Sequence, residues 1–237
     1  MIRQLYIYWD KGFDNAPALV KKCLETWKTK NPTWKVHELD DSNLEQFINI
    51  SNFISNIKFK KISKAGYSDI IRIILLSKFG GLWVDSTTYC ENPLDNWLDE
   101  YVKSEGFFAF DKPGPDRLIS SWFLYAEKDN YLIKCWLEKV LNYWNNNESS
   151  KHYFWFHYLF GDLYKEDLEF KKKWDNVKKI SANGPHFIQH KYFQLLNTDL
   201  SIDDIKSINN LDVPLHKFTY RYRDTNKNNI IKYILNK

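Results

Sequence analysis

The sequence predicts an α/β fold, and three features carry that expectation. The chain opens as strand, helix, strand. Farther on, a helical apolar stripe, a Gly-Gly pair and a short apolar strand follow one another directly. The composition is that of a folded chain: 237 residues, 43% apolar and 27% charged, enough for a substantial core and unlike disordered, collagen-like or coiled-coil sequences. The unusual figure is 17% aromatic, from 10 Trp, 15 Tyr and 16 Phe. So many rings suit a core, a stacking site for a base, or a platform for sugars.

Residues 5–8 form a β-branched and aromatic run, read as the first strand, and residues 10–17 are turn-prone. Residues 18–28 place Leu19, Val20, Cys23, Leu24 and Trp27 at helical spacing; Asn31-Pro32 stops that helix, and residues 34–39 alternate like a strand. A second helix is expected over residues 42–57, ahead of the lysine-rich residues 58–64. Ser68-Asp69 then opens a helix carrying Ile70, Ile71, Ile74 and Leu75, and Gly80-Gly81 falls where a C-cap belongs. Leu82-Trp83-Val84 reads as a strand that runs straight into Asp85. Beyond it, residues 106–110 read as a strand and 112–116, with two prolines and a glycine, as a loop. Ser120-Ser121 reads as a helix start or cap before Trp122. Residues 131–143 are amphipathic, and the aromatic cluster 152–160 leads into the charged stretch 164–173. Asn183-Gly184-Pro185-His186 has the composition of a loop. With no repeat and no linker-like stretch, one domain is expected over residues 1–237, with the basic segment 217–237 either part of it or a peripheral tail.

Lys plus Arg number 34 and Asp plus Glu 30, a net charge of +4. Six of the basic residues lie in 217–237, against Asp224 as the lone acid there. Elsewhere the signs are interleaved, which argues against a nucleic-acid partner. Cys23, Cys90 and Cys135 form no CxxC pair, so a reducing, cytoplasmic setting is expected rather than a disulfide framework. Asp10 interrupts the start before any long apolar region, and the apolar stretch 70–76 is broken by Arg72. Neither a signal peptide nor a span of ~20 apolar residues is expected.

On a helix, Asp69 and Arg72 are three apart and share a face beside the apolar stripe. They read either as an i,i+3 ion pair at a helix start or as a pair facing a pocket. In the second case the Arg donates to a polar ligand while the Asp accepts from hydroxyls. Asp85 ends an apolar strand, and ligands of open α/β sheets lie at strand carboxyl ends. With Ser86, Thr87 and Thr88 it offers oxygens suited to a hard cation, a ribose or a diphosphate.

The string Ser68-Asp69-x-x-Arg72 through Gly80-Gly81-x-Trp83-x-Asp85 resembles the signature of the capsular polysaccharide synthesis glycosyltransferases, the family-32 glycosyltransferases and the glucosyltransferase domain of large clostridial toxins. Trp83 before Val84-Asp85-Ser86-Thr87 is most similar to the capsular branch. Further pieces follow in the same order: Tyr8-Trp9-Asp10-Lys11-Gly12, Ser120-Ser121-Trp122-Phe123, His157-Tyr158-Leu159-Phe160, Asn183-Gly184-Pro185-His186 and Pro214-Leu215-His216-Lys217.

The resemblance implies a GT-A-type, Rossmann-like fold with a mixed central sheet flanked by helices. It implies transfer of a sugar from a nucleotide-diphosphate sugar, a UDP-sugar in first expectation, to a hydroxyl of a glycan or lipid-linked oligosaccharide. Retention at the anomeric carbon and a role in capsular or other cell-surface polysaccharide synthesis go with it. Asp69, Arg72 and Asp85 would form the catalytic group. Donor contacts would come from these and from Tyr8, Trp9, Gly81, Trp83, Ser86, Thr87, Ser121, His216 and Lys217, and acceptor contacts from His157 and His186. A divalent cation, Mn2+ or Mg2+, would be held by Asp85 and His216. Thr87 stands where many relatives carry the second acid of an Asp-x-Asp motif, and a neutral hydroxyl is a weak ligand for a hard cation. The metal requirement is therefore open, with Lys217 available to neutralise phosphate directly. His157 also reads as a core histidine, given its aromatic neighbours. The rival function is a non-catalytic protein that binds carbohydrate or nucleotide-sugar. For the basic segment two readings stand: peripheral contact with an anionic inner membrane face, or a terminal helix docked through Ile230, Ile231 and Ile234.

Overall fold

The structure is a computed structural model that describes residues 1–223 and 225–237. In chain order its elements are β1 (Gln4–Tyr8), α1 (Ala18–Lys30), β2 (Lys35–Leu39), α2 (Lys64–Phe79), β3 (Gly81–Val84), β4 (Thr88–Cys90), α3 (Leu98–Val102), β5 (Phe107–Gly114), β6 (Arg117–Ala126), α4 (Tyr131–Asn146), α5 (Trp155–Glu166), α6 (Leu168–Asn176), α7 (Asn183–Tyr192), α8 (Ile202–Asn209), β7 (Leu215–Lys217) and α9 (Ile230–Asn236). The expected α/β class holds. Five strands form a mixed sheet in the order β2-β1-β3-β6-β5, and β4 with β7 forms a second, two-stranded sheet. β1 runs parallel to β2 and β3, whereas β6 is antiparallel to both β3 and β5.

Strand alternation divides the core between the two faces of the large sheet. Tyr6, Trp83, Leu124 and Ala126 pack on one face with the isoleucines of α2 and with Trp136, Trp144 and Trp155. Leu5, Ile7, Leu82, Val84, Phe108 and Phe123 pack on the other with Trp27 and Trp34. Most of the aromatic excess is thus core: Trp27, Trp83, Trp136 and Trp144 are all below 2% exposed. A third cluster joins Leu19 and Cys23 of α1 to Ile188, Ile208, Ile230, Ile231 and Ile234. The C-terminal segment therefore docks through the three isoleucines, and Lys237 binds the Glu91 carboxylate at 2.7 and 2.8 Å. Asp224, the one acid of that segment, lies outside the described residues. Among the described residues no helix is long and apolar enough to cross a membrane.

Residues 42–57 are not a helix. They form separate 3-10 turns at Leu44–Gln46, Ile50–Asn52 and Ile57–Phe59. Short polar side chains satisfy the backbone locally instead: Asp40 accepts from the Ser42 and Asn43 amides, Asn49 accepts from the Ser51 amide, and Asn56 adopts φ 55°. α2 begins at Lys64 rather than Ser68, because Ser63 supplies the N-cap and accepts from the Gly66 amide at 3.1 Å. Ser120 and Ser121 lie inside β6, whose residues from Ile119 to Ala126 are buried on both faces. Residues 112–116 are the end of β5 and a tight hairpin into β6. Asn183 to His186 form the first turn of α7, where Pro185 lacks only an amide that has no helical partner there.

Gly80 ends α2 at φ +66°, and Gly81 starts β3 at φ +101° against β1. A Cβ on Gly81 would sit 2.7 Å from the Gln4 carbonyl oxygen, which is backbone and cannot move aside. Gly81→Ala is expected to destabilise by about 2–4 kcal/mol, combining left-handed strain and overlap. Urea denaturation measures it, and an unchanged midpoint would contradict the strain.

Candidate active site

α2 and β3 bring Asp69, Arg72 and Asp85 together at the carboxyl edge of the large sheet. α2 is buried almost all round, and the Asp69 and Arg72 side chains are 10% and 4% exposed. Arg72 Nη1 donates to Asp69 Oδ1 at 2.6 Å and Nη2 donates to Asp85 Oδ1 at 3.0 Å. A guanidinium fork can satisfy two carboxylates in fixed directions, which an ammonium cannot. The guanidinium also lies 5.1 Å over the Trp83 ring and 5.9 Å over Phe156. Trp83 Nε1 adds a second hydrogen bond to Asp85 Oδ1 at 3.1 Å. The Asp85 amide donates to the Trp122 carbonyl at 2.8 Å, fixing the backbone where β3 ends.

The two carboxylates differ in environment. Burial pushes the Asp69 carboxyl up to about 7, against the opposing pull of Arg72 and the Ser121 hydroxyl. Burial works against the Asp85 charge too, but Arg72, Lys217 and the Trp83 hydrogen bond outweigh it and hold that carboxyl below its usual range. Asp85 is also the more open, at 27% side-chain exposure. Its Oδ1 takes two hydrogen bonds, whereas Oδ2 is met only by the Lys217 ammonium at 3.5 Å among the described residues.

Lys217 reaches this point from the far end of the chain. β4 and β7 pair Thr88 with Lys217, and Lys217 Nζ donates to Thr87 Oγ1 at 2.6 Å. Its neighbour His216 goes the other way, because successive strand residues point to opposite faces. His216 Nε2 lies 3.6 Å from Glu91, and its ring stacks at 17° on Phe218. Burial opposes the Glu91 charge, but hydrogen bonds from His216 and Lys237 bring that carboxyl down to about 2. The structure does not bring His216 to Asp85.

The other expected residues divide. Ser86 and Thr87 are buried in the turn after β3, with Thr87 held by Lys217. Ser121 lies beside Asp69. Trp9 leaves β1 at the same sheet edge and meets Tyr220 edge-to-face at 5.0 Å. Tyr8 points the other way, and its hydroxyl binds Asp41. Gly81 sits at the opposite end of β3, packed on Gln4, where its task is backbone packing.

A cleft of about 820 Å3 opens beside this cluster, between the β5–β6 hairpin and α5. Its walls include Asp116, Arg117, His157, Tyr158 and Asn183. Arg117 stacks 3.7 Å over Phe154 and donates to Asp116, which also accepts from the Tyr158 hydroxyl at 2.8 Å. His157 belongs to both cleft and cluster: burial, with Arg72 and Arg117 nearby, pulls its imidazole down to about 3, so the ring is neutral. Its Nδ1 is buried with no partner among the described residues. His186 is held by the Ala182 carbonyl at 2.8 Å and meets Trp122 edge-on, and burial lowers it to about 4. Sequence reading missed Arg117 and Tyr220 and gave Tyr158 no role of its own; a basic residue directly after a Pro-Gly-Pro-Asp turn was the available signal for Arg117.

The model of the family described as capsular polysaccharide synthesis protein matches residues 1–237. The chain belongs to that family. The chain is 26% identical over 161 residues to the O-glycosyltransferase braB of Annulohypoxylon truncatum, covering 60% of this chain and 38% of that one. It is 26% identical over 164 residues to the glycosyltransferase afumC of Aspergillus fumigatus, covering 62% and 42%. The chain thus spans about two fifths of the length of these relatives. Among solved structures, the apo form of the glycosyltransferase GlyE of Streptococcus pneumoniae TIGR4 superposes with a TM-score of 0.57 at 11% identity, covering 98% of this chain and 59% of that one. The mixed sheet flanked by helices is therefore the GT-A-type architecture that the motif implied.

The residues of this family member do not fit the divalent cation expected at Asp85 and His216. Thr87 Oγ1 accepts from an ammonium, His216 faces the other side of β7, and Asp69 is tied to Arg72. Among the described residues no three His, Cys, Asp or Glu side chains converge as a metal site. A cation at Asp85 Oδ2 would also stand against Lys217, a repulsion that a partly buried setting does little to screen.

Proposed function

We propose that this protein is a glycosyltransferase that moves a sugar, with retention, from a nucleoside-diphosphate sugar to a glycan hydroxyl in cell-surface polysaccharide synthesis. The observation that supports it is the Asp85 carboxylate: ionised, fixed through Oδ1 by Arg72 and Trp83, partly exposed at the carboxyl edge of the sheet, with Oδ2 toward Lys217. A carboxylate fixed on one oxygen by two donors and met on the other only by the Lys217 ammonium at 3.5 Å among the described residues keeps lone pairs to accept from sugar or ribose hydroxyls. Arg72 and Asp69 lie behind it as positioning residues, and Thr87 and Lys217 border the diphosphate. Trp9 and Tyr220 form an aromatic corner for the base, and a UDP-sugar is the first donor to try.

In the reaction, the acceptor oxygen forms a bond to the anomeric carbon as the bond from that carbon to the diphosphate oxygen breaks. The nucleoside diphosphate leaves with the electron pair, and the hydroxyl proton passes to a phosphate oxygen or to solvent. The rate gain comes from orientation and from stabilising charge on the departing phosphate. The cleft along α5 is the acceptor's place in this reading, with the neutral His157 in its wall and His186 behind Trp122.

Incubating the purified chain with a panel of UDP-, GDP- and CDP-sugars and measuring released nucleoside diphosphate tests the proposal. Release from one or a few donors is expected. Binding by calorimetry with no release from any donor would make the chain a nucleotide-sugar-binding protein instead, and absence of both would remove the reading.

A further inference from the structure

We infer that Lys217 takes the place of a divalent cation in this protein: its ammonium neutralises the diphosphate of a nucleoside diphosphate, which binds without any metal ion. The inference rests on the nucleotide-sugar reading above.

Three observations carry it. First, the ammonium is fixed. Nζ donates to Thr87 Oγ1 at 2.6 Å and to the Phe218 carbonyl at 3.3 Å, and lies 3.5 Å from Asp85 Oδ2, so its three donors all have acceptors. The side chain is only 14% exposed, so it is not a lysine sweeping through solvent. Second, the backbone holds it there. β7 pairs with β4 directly after the Asp85 turn, and the Phe218 amide donates to the Thr87 carbonyl at 2.9 Å. Third, position 87 and Lys217 are matched chemically. Asp85 already gives Lys217 one counter-charge, and a second carboxylate at 87 would leave the pair net negative and repel a diphosphate. A neutral hydroxyl anchors the ammonium without adding a negative charge. Thr87 therefore makes a poor metal ligand and a good lysine anchor for the same reason.

The test titrates UDP and GDP into the full chain by calorimetry, once in excess EDTA and once with Mn2+. The dissociation constant of the better nucleotide is expected to agree within about threefold between the two conditions. Lys217→Met is expected to weaken binding in EDTA by about tenfold or more, the loss of one charge-assisted contact. Thr87→Asp, which pairs the lysine and adds an acid beside Asp85, is expected to weaken binding in EDTA and to recover it with Mn2+. Circular dichroism and melting temperature establish that each variant is folded, and the wild-type comparison needs no variant at all. Binding of either nucleotide only when Mn2+ is present would overturn the inference and leave the nucleotide-sugar reading standing. Binding in neither condition would overturn both. Undiminished binding by folded Lys217→Met in EDTA would assign the charge to another group.

Discussion

Asp85→Asn is expected to lower sugar transfer by about a hundred- to a thousandfold while the fold survives, the scale on which a group aimed at a reacting centre acts. Asparagine keeps an oxygen that can accept from Arg72 and from Trp83, so the inner half of the site stays satisfied. The change falls on the outer half, where an amide donor replaces an accepting oxygen and points toward the Lys217 ammonium. A hydroxyl that Oδ2 accepted loses its partner, and Lys217 loses its counter-charge. Release of nucleoside diphosphate from the best donor, measured beside the melting temperature, checks this. Turnover within tenfold of wild type, in a protein that melts normally, would mean that Asp85 touches nothing that reacts.

Arg72→Met carries the largest stability effect, an expected loss of about 3–5 kcal/mol, because it strips the buried Asp69 and the half-buried Asp85 of their shared partner. The cost depends on pH in a definite direction. Asp69 titrates near 7 with Arg72 present, raised chiefly by burial, and removing the guanidinium raises it further. At pH 5 the folded variant therefore holds Asp69 protonated and escapes part of the penalty. At pH 8 the unfolded chain is ionised, and folding must either bury the charge or take up a proton. The gap between variant and wild type is expected to widen from pH 5 to pH 8 in urea denaturation. Arg72→Lys restores one charge but cannot reach both Asp69 and Asp85, so it is expected to recover only part of the loss. An Arg72→Met midpoint equal to wild type at both pH values would show that the cluster is solvated rather than interdependent.

The parts of this site legible in the sequence are those written in short range. The isoleucine stripe of α2, the Gly80-Gly81 stop and the apolar β3 place Asp69, Arg72 and Asp85 within a few residues of their true setting. Propensity and turn chemistry act over such distances. What was illegible depends on partners far away or on competition that no pattern displays. β4 and β7 are three residues each, too short to show a period, and they find each other only through the fold. His216 and Lys217 looked equally eligible, and only strand alternation, which needs a known pairing partner, turns one inward and the other toward Glu91. The spacing in residues 42–57 suggested a helix because Leu44, Phe47 and Ile48 recur at helical intervals, yet the equally numerous Asn and Ser side chains capture the backbone first. Tyr220 was invisible for a related reason: nothing local marks one aromatic in a basic stretch as the neighbour of Trp9.

The bond from Lys217 to Thr87 spans 130 residues. It closes one of the longer loops in the molecule, at a higher entropic cost than the pairing of strands that are neighbours in sequence. By chain separation alone, the charge proposed to hold a phosphate depends on a closure of higher entropic cost than the hairpin that joins β5 to β6.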